Sequence, residues 1–163
     1  MIGKLLRKSV PNMACTSRDE SAFEGRSSPD RQFQPLLRKR LRDLRNAYNA
    51  HTTECFPQPR GLVAYVVTGR GDDGSKEFSQ LRERAKAQGQ FVNQYVRERR
   101  GCPPNERSGW ATVRATVYEG FAHGVIVLDQ ETVSSDLEAY EREVRWFGER
   151  NALLLLVRAE TST

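Results

Sequence analysis

Short apolar runs alternate with amphipathic segments along the chain from residue 61 onward. Four of these runs have the length and the β-branched or aromatic content of strands: residues 62–67, 91–96, 125–128 and 153–157. A helical pattern separates each run from the next, which is typical of a parallel sheet that helices cover on both faces. The pattern predicts an α/β fold, a three-layer open sandwich with a mostly parallel sheet of about four strands.

Each of the three predicted helices in this region begins at a serine and carries apolar residues at helical spacing. Ser75, Ser108 and either Ser134 or Ser135 are the expected N-caps, and Gly89 is expected to end the first helix. The inward faces are expected to hold Phe78, Leu81 and Ala85; Trp110, Val113, Val117 and Phe121; and Leu137, Tyr140, Val144 and Phe147.

Another amphipathic segment precedes the sheet. Pro35 stands where the first turn of a helix accepts proline, and a helix is expected over about residues 35–50. Its apolar face consists of Phe33, Leu37, Leu41, Leu44 and Tyr48. Its basic face consists of Arg38, Lys39, Arg40, Arg42 and Arg45. The predicted organisation is a disordered leader over 1–32, a basic helix with a proline-containing linker over 33–60, and an α/β domain over 61–163.

The positive charge is concentrated before the predicted domain. Residues 1–60 hold 12 Lys and Arg against 6 Asp and Glu, a net charge of +6, and the remainder has 14 against 15, a net charge of −1. Because lysine and arginine neutralise phosphates without regard to base sequence, the basic helix is a candidate DNA-binding surface. Arg100, in a loop after the second strand, is a further candidate for such contacts.

The remaining composition favours a reducing cytoplasm. Cys15, Cys55 and Cys102 are odd in number and lack paired spacing, so the sequence indicates neither a disulfide framework nor a zinc ribbon. His51 and Cys55 could form half of a metal site, but few ligands remain to complete it. We therefore expect no metal, no cofactor and no small-molecule substrate, and the lack of a long apolar run indicates no membrane partner.

In an open α/β sheet, a site is expected outside the carboxyl ends of the strands. Three segments lie there: 68–74, 97–107 and 129–135. The first contains Gly-x-Gly-x-x-Gly, which is either a dinucleotide loop or a flexible turn, and Asp72 and Asp73 within it would repel a pyrophosphate. The second is an arginine-rich loop that either binds phosphate or is simply solvated. In the third, Asp129 and Glu131 could bind a metal or shuttle protons, or they could be ordinary exposed acids beside a helix cap.

Taken in order, residues 61–158 resemble the catalytic domain of the resolvase/invertase, or serine recombinase, family. The family's first strand typically reads Gly-Tyr-x-Arg-Val-Ser, and here it is Ala64-Tyr65-Val66-Val67-Thr68-Gly69. The loop after the second strand closes with Arg-Pro-Gly in the family and with Arg107-Ser108-Gly109 here. The third strand normally runs into Leu-Asp-Arg-Leu-Ser-Arg-Asp, which corresponds to Gln130-Glu131-Thr132-Val133-Ser134-Ser135-Asp136.

The resemblance implies a chemistry in which a serine hydroxyl attacks a DNA phosphodiester while arginines stabilise the charged phosphorus centre. The family's site positions fall on Gly69 for the nucleophile, on Val67, Thr132 and Ser135 for three arginines, on Glu131 for the acid, and on Arg107. Only Arg107 keeps its expected identity. Each lost stabilising donor costs roughly 3–4 kcal/mol of barrier, so these positions predict a catalytically inactive domain.

Three functional hypotheses follow. The first is a non-catalytic module that binds DNA or associates with another recombinase subunit. The second is an active site-specific recombinase that cleaves DNA strands with Thr68 or Ser75 as a displaced nucleophile, assisted by Arg70 and Arg107. The third is a chain without independent function, or a dinucleotide-binding domain.

Overall fold

The computed structural model describes residues 30–101 and 106–161, and within these ranges the chain forms five helices and four strands. In chain order they are α1 (Asp30–Cys55), β1 (Gly61–Thr68), α2 (Ser75–Ala87), β2 (Phe91–Arg99), α3 (Ser108–Tyr118), β3 (Gly124–Val127), α4 (Gln130–Val133), α5 (Leu137–Gly148) and β4 (Leu153–Leu156). The predicted α/β fold is confirmed. The leader lies outside the described residues, except for residues 30–32, which belong to α1.

The four strands form one parallel sheet in the order β2-β1-β3-β4. The short strands β3 and β4 are buried along their whole length, as is all of β1 except the half-buried Val67. This explains their uniformly apolar sequences, because a parallel strand between two helical layers has no polar face. Strand β2 instead alternates exposed and half-buried residues and continues to Arg99, three residues beyond the predicted end. As an edge strand covered mainly on one side, it tolerates polar residues that an interior strand would not.

Helices cover the sheet unequally on its two faces. Leu81 and Ala85 of α2 pack on one face, against Leu62, Ala64 and Val66 of β1. The opposite face carries α1, α3 and α5, whose buried residues include Leu41, Trp110, Val113, Tyr140, Val144 and Phe147. The predicted inward faces are confirmed with one exception. Phe121 is 72% exposed because α3 ends at Tyr118 and the chain turns before reaching it.

The serine caps predicted from the sequence are wrong. Ser75 and Ser108 are the first residues within their helices, and Gly74 and Arg107 occupy the cap positions. Helix α5 is capped by Asp136, whose carboxylate accepts a hydrogen bond from the Glu138 amide at 3.1 Å. A carboxylate caps as well as a hydroxyl does. Ser134 is buried and its hydroxyl accepts from the Asp136 amide, while Ser135 is exposed, so spacing alone could not identify the capping residue.

Helix α1 begins earlier and ends later than the sequence pattern indicates. It contains Pro35 in its second turn and continues through residues assigned to the linker, ending at Cys55. Leu41 is fully buried, whereas Phe33 is 65% exposed although the helical spacing placed it on the apolar face. Tyr48 lies against α5 at Gly148, where a Cβ would overlap the tyrosine ring. The absence of a side chain at Gly148 therefore allows the two helices to approach closely.

A buried ion pair fixes α1 to the end of the chain. Arg45 Nε donates to Glu160 Oε1 at 2.6 Å and Arg45 Nη2 donates to Glu160 Oε2 at 3.0 Å. The Tyr140 hydroxyl of α5 donates to the same carboxylate at 2.6 Å. Arg45 and Glu160 are only 7% and 3% exposed. One carboxylate thus joins α1, α5 and the segment after β4.

Asn49 of α1 covers the outer edge of β4. Its side-chain amide donates to the Leu154 carbonyl at 2.9 Å, and its side-chain oxygen accepts from the Leu154 amide at 3.1 Å. The side chain therefore satisfies the backbone groups that a neighbouring strand would otherwise pair. This interaction closes one edge of the sheet against further strands.

None of the helices within the described ranges combines the length and apolar character that crossing a bilayer requires.

We expect Glu160→Gln to lower the free energy of unfolding by about 3–5 kcal/mol, because it leaves the Arg45 charge buried beside a neutral amide. Burial alone raises the pKa of Glu160, but hydrogen bonds from Arg45 and Tyr140 outweigh burial and hold this pKa below its ordinary value. The stabilisation is therefore present above the ordinary pKa of 4.5 and is lost as the pH falls through the folded-state pKa. Urea unfolding at a series of acidic pH values measures both effects. The control is Glu141→Gln, which breaks surface pairs with Arg40 and Arg145 and should cost less than about 1 kcal/mol. Equal losses in the two variants would contradict the structural role of Glu160.

We also expect Asn49→Ala to destabilise the fold by about 1–3 kcal/mol, because it removes the side-chain partner of the Leu154 amide. The Leu154 carbonyl would keep only the longer hydrogen bond from Arg45, at 3.5 Å. Asn46→Ala is the matched control, since Asn46 is an exposed residue one turn earlier in the same helix. Denaturant midpoints measured in parallel compare the two variants. An Asn49 variant as stable as the Asn46 variant would show that the β4 edge needs no cover.

Candidate functional site at the carboxyl end of the sheet

The parallel strands bring the three predicted loop segments to one end of the sheet. The loop after β1 and the loop after β2 are joined where the Arg100 amide donates to the Thr68 carbonyl at 3.0 Å. The loop after β3 leads directly into α4. Residues 102–105 of the second loop lie outside the described residues, and Arg107 follows them. The expected position of a site is therefore occupied by residues from three separate parts of the chain.

Glu98 organises the side of this end that faces α3. Its carboxylate accepts a hydrogen bond from the Tyr65 hydroxyl at 3.2 Å and from the Trp110 amide at 3.2 Å. The Ser108 hydroxyl lies 3.4 Å from its other oxygen. We call Tyr65, Glu98, Ser108 and Trp110 the Glu98 cluster. It connects β1 and β2 to the N-terminus of α3. No sequence pattern indicated this cluster, because its members are separated by as many as 45 residues.

Arg107 joins the Glu98 cluster to the loop after β3. Its guanidinium donates to the Thr132 carbonyl at 2.8 Å and also interacts with the Tyr65 hydroxyl. Burial raises the pKa of Tyr65, and the Glu98 carboxylate raises it further, while Arg107 offsets part of this effect. Two of the positions that match the family site, Arg107 and Thr132, are therefore in contact. The contact is with a backbone oxygen, so it holds the loop in place and does not depend on the Thr132 side chain.

The other positions that match the family site differ in exposure. Val67 is half-buried and packs against the core on the face that carries α1, α3 and α5. The exposed positions are Gly69, Glu131 and Ser135. The hydroxyl beside Arg107 belongs to Tyr65, which is fully buried and has a raised pKa. A hydroxyl that is hard to ionise and has no access to solvent is a poor nucleophile for a phosphodiester.

Thr68 does not share a face of the sheet with Arg107. Alternation along β1 directs Val66 and Thr68 toward α2, whereas Tyr65 points toward α3 and Arg107. Thr68 is also only 3% exposed. A displaced nucleophile at Thr68 would therefore have the sheet between it and Arg107.

The glycine-rich loop after β1 satisfies its own backbone donors. The Asp72 carboxylate accepts from the Gly74 amide at 2.9 Å, and the Asp73 carboxylate accepts from the Ser75 amide at 3.0 Å. The hydrogen bonds from Ser75 lower the pKa of Asp73. A pyrophosphate bound at this helix N-terminus would need the same amides, and it would meet two negative charges. The loop therefore has the geometry of a closed turn.

Asp129, the first acid after β3, is likewise engaged. One oxygen of Asp129 accepts from the amide and the hydroxyl of Thr132 at 3.0 and 2.9 Å, and the other pairs with Arg158 at 2.7 Å. Within the described residues, no group of three or more His, Cys, Asp or Glu side chains is arranged to hold a metal ion. Asp129 therefore acts as a cap for α4 and as the partner of Arg158.

Four exposed arginines lie where β1 and β2 end: Arg70, Arg97, Arg99 and Arg100. We call them the carboxyl-edge arginines. In the part of the chain that the structure describes, none of them forms a salt bridge, and the guanidinium of Arg97 donates only to the Asp72 carbonyl at 3.4 Å. The nearby acids Asp72 and Asp73 are occupied as caps. The surface is thus a cluster of guanidinium groups whose donors remain open to an anion.

In the folded chain, some residues of the basic face predicted for α1 pair with acids and others do not. Arg45 is buried in its pair with Glu160, so it is not available to a phosphate. Arg42 pairs with Asp43 at 2.9 Å and Arg40 pairs with Glu141 at 3.2 Å. Arg38 and Lys39 form no salt bridge within the described residues. The sequence overestimated this surface because two of the acids that pair with it, Glu141 and Glu160, lie more than 100 residues away.

A groove of about 780 Å³ lies away from this end of the sheet, between α1, α2 and β4. Leu153, Leu155 and Val157 line it together with polar residues such as Arg42 and Arg84. It forms because α2 alone covers its face of the sheet and does not extend over β4. No sequence pattern indicated it, since its walls come from three distant segments.

We expect Tyr65→Phe to cost about 1 kcal/mol at neutral pH, because the hydrogen bond to Glu98 is lost. The pKa of Tyr65 is raised above its ordinary value of 10.0, so the unfolded state loses its proton first as the pH rises. Stability from this residue is therefore complete below pH 10.0 and declines as the pH rises toward the folded-state pKa. The variant should show a flatter alkaline limb in thermal unfolding. Tyr118→Phe, at a position that is 74% exposed, is the control, and the same flattening there would contradict the assignment.

Comparison with known proteins gave no match: no family model, no curated protein and no solved structure corresponds to this chain.

Proposed function

We propose that this chain is a resolvase-like α/β domain that binds the phosphate backbone of DNA and does not cut it. The observation that carries the proposal is the cluster of carboxyl-edge arginines, which are exposed and form no salt bridge in the described ranges. Guanidinium groups bind phosphate oxygens bidentately, and each neutralised phosphate releases counterions.

The carboxyl end of the sheet is a better phosphate site than the basic face of α1. Arg97 and Arg99 project from the same side of β2, about 7 Å apart along the strand. Arg70 and Arg100 extend the same group from the adjoining loops. On α1, by contrast, Arg45 is buried and two other arginines are paired with carboxylates. Arg38 and Lys39 are therefore a secondary surface, which would add non-specific affinity.

The non-catalytic half of the proposal depends on the residues beside Arg107. A strand-cleaving serine recombinase needs an accessible hydroxyl and several arginines around one phosphate. Here the hydroxyl that Arg107 contacts is that of buried Tyr65, and the Arg107 guanidinium is bound to the Thr132 carbonyl. The neighbouring Ser108 hydroxyl lies 3.4 Å from the Glu98 carboxylate. These residues serve the packing of the loops, so the domain would hold DNA or a recombinase bound to DNA without forming a phosphoseryl link.

We expect the double variant Arg99→Glu with Arg100→Glu to bind duplex DNA at least tenfold more weakly at low salt. It should reduce the slope of log affinity against log salt by about two, because two phosphate contacts are lost. Fluorescence anisotropy with a labelled duplex, repeated over a salt series, measures both quantities.

The control for this experiment is Arg82→Glu with Lys86→Glu, which makes the same change in net charge on the exposed surface of α2. Equal weakening in the two double variants would mean that only net charge matters. No binding by the native chain at micromolar concentration would refute DNA binding. A covalent protein–DNA adduct in the same incubation would contradict the non-catalytic assignment.

A further inference from the structure

The two edge strands of the sheet, β4 and β2, differ in whether their outer backbone groups are covered. Asn49 pairs with the backbone of Leu154 and covers the outer edge of β4. Strand β2 is nine residues long, and on its outer side no strand pairs with it within residues 30–101 and 106–161. An edge of this length offers a row of backbone donors and acceptors to another strand.

The outward-facing backbone groups of β2 can be identified from its pairing with β1. The Arg100 amide donates to the Thr68 carbonyl, so Arg100 faces β1. Because N–H and C=O groups alternate sides along a strand, Val96 and Glu98 also face β1. Tyr95, Arg97 and Arg99 therefore direct their backbone N–H and C=O groups away from the sheet.

We propose that the β2 edge pairs antiparallel with β2 of a second copy of this chain, about a two-fold axis at Val96. In this register Tyr95 of each copy lies opposite Arg97 of the other. Both are outward-facing residues, so each of the two pairs exchanges two backbone hydrogen bonds. The two Val96 residues meet as a non-hydrogen-bonded pair, in which side chains approach most closely.

The side chains in this register are self-complementary. On the α2 side, each Arg97 guanidinium lies across from a Tyr95 ring, a cation–π arrangement that occurs twice because of the symmetry. On the α3 side, Gln94 lies opposite Glu98 and can donate a hydrogen bond to its carboxylate. No like charges are directly opposed. Tyr95 is 48% exposed in the single chain, and part of that apolar surface would be covered in the pair.

Other registers are less favourable. An axis at Arg97 places the two Arg97 guanidinium groups directly opposite each other, which is repulsive. The register shift between β1 and β2 at Leu62 and Val63 makes Asn93 the extra residue of a bulge, so the segment before Gln94 cannot continue a regular ladder. The bulge limits the regular ribbon to residues 94–98 of each copy. The result is a weak, reversible dimer with a continuous sheet across the axis.

The experiment is sedimentation equilibrium of the full chain over a concentration series up to about 1 mM, the range in which a small interface associates. The mean mass should rise from 18.6 kDa toward twice that value. Tyr95→Arg sets like charges opposite each other across the axis and should weaken dimerisation at least tenfold. Adding Arg97→Glu to that variant places opposite charges in both pairs and should restore it. A native chain that remains monomeric throughout, or a Tyr95→Arg chain that dimerises as the native one does, overturns the proposal.

Cysteine cross-linking tests the register separately. In a chain carrying Cys15→Ser, Cys55→Ser and Cys102→Ser, Val96→Cys brings two thiols together on the axis, at a Cα separation of about 4.5 Å that a disulfide can span. Mild oxidation should give a covalent dimer. Val92→Cys, on the same strand but before the bulge, is the matched control and should remain monomeric. Equal cross-linking of the two variants, or cross-linking of Val92→Cys alone, overturns the Val96 register. Circular dichroism verifies that each variant is folded.

Discussion

The docking of α1 along β4 is the constraint on which the rest of the architecture depends. A parallel sheet has to be covered on both faces, and each of its edges must be paired, covered or otherwise protected. Helix α1 contributes to both requirements at once. Leu41 completes the core on the face shared with α3 and α5, and Asn49 satisfies the backbone of Leu154. The buried Arg45 and Glu160 pair fixes the position of this helix. Because an unpaired buried charge is costly, α1 cannot slide or rotate without losing that pair.

The carboxyl end of the sheet is held together by internal contacts. Glu98, on β2, accepts hydrogen bonds from β1 and from the N-terminus of α3, and Arg107 donates to a backbone carbonyl. Asp72 and Asp73 satisfy amides that a phosphate would otherwise use. Groups that could act on a substrate are thus engaged in fixing loops. Within the described residues, the carboxyl-edge arginines stay exposed and form no salt bridge.

Strand β2 connects the two proposals physically, although each has its own test. Arg99 at its carboxyl end belongs to the surface proposed for phosphate, and Tyr95 and Val96 belong to the edge proposed for a second copy. Antiparallel pairing would place Arg99 and Arg100 of the two copies at opposite ends of the ribbon, so a dimer would present two phosphate-binding surfaces to one DNA. Two weak contacts linked in this way would bind more tightly than either alone.

The alternation of apolar runs and helical patterns was sufficient to determine the α/β class and the core residues of α2 and α5, because periodicity reflects which side of an element is buried. It also located the loops that meet at the carboxyl end, since parallel strands must all end there. The predicted helix N-caps were wrong. Asp136 and Ser134 are both residue types that cap helices well, and only the tertiary packing buries the serine. The tertiary structure alone decided which charges are free. Arg45 and Arg99 look alike in the sequence, but Glu160 lies 115 residues beyond Arg45 and folding brings the two together. Sequence patterns record local burial, whereas pairing between distant charges depends on the assembled chain.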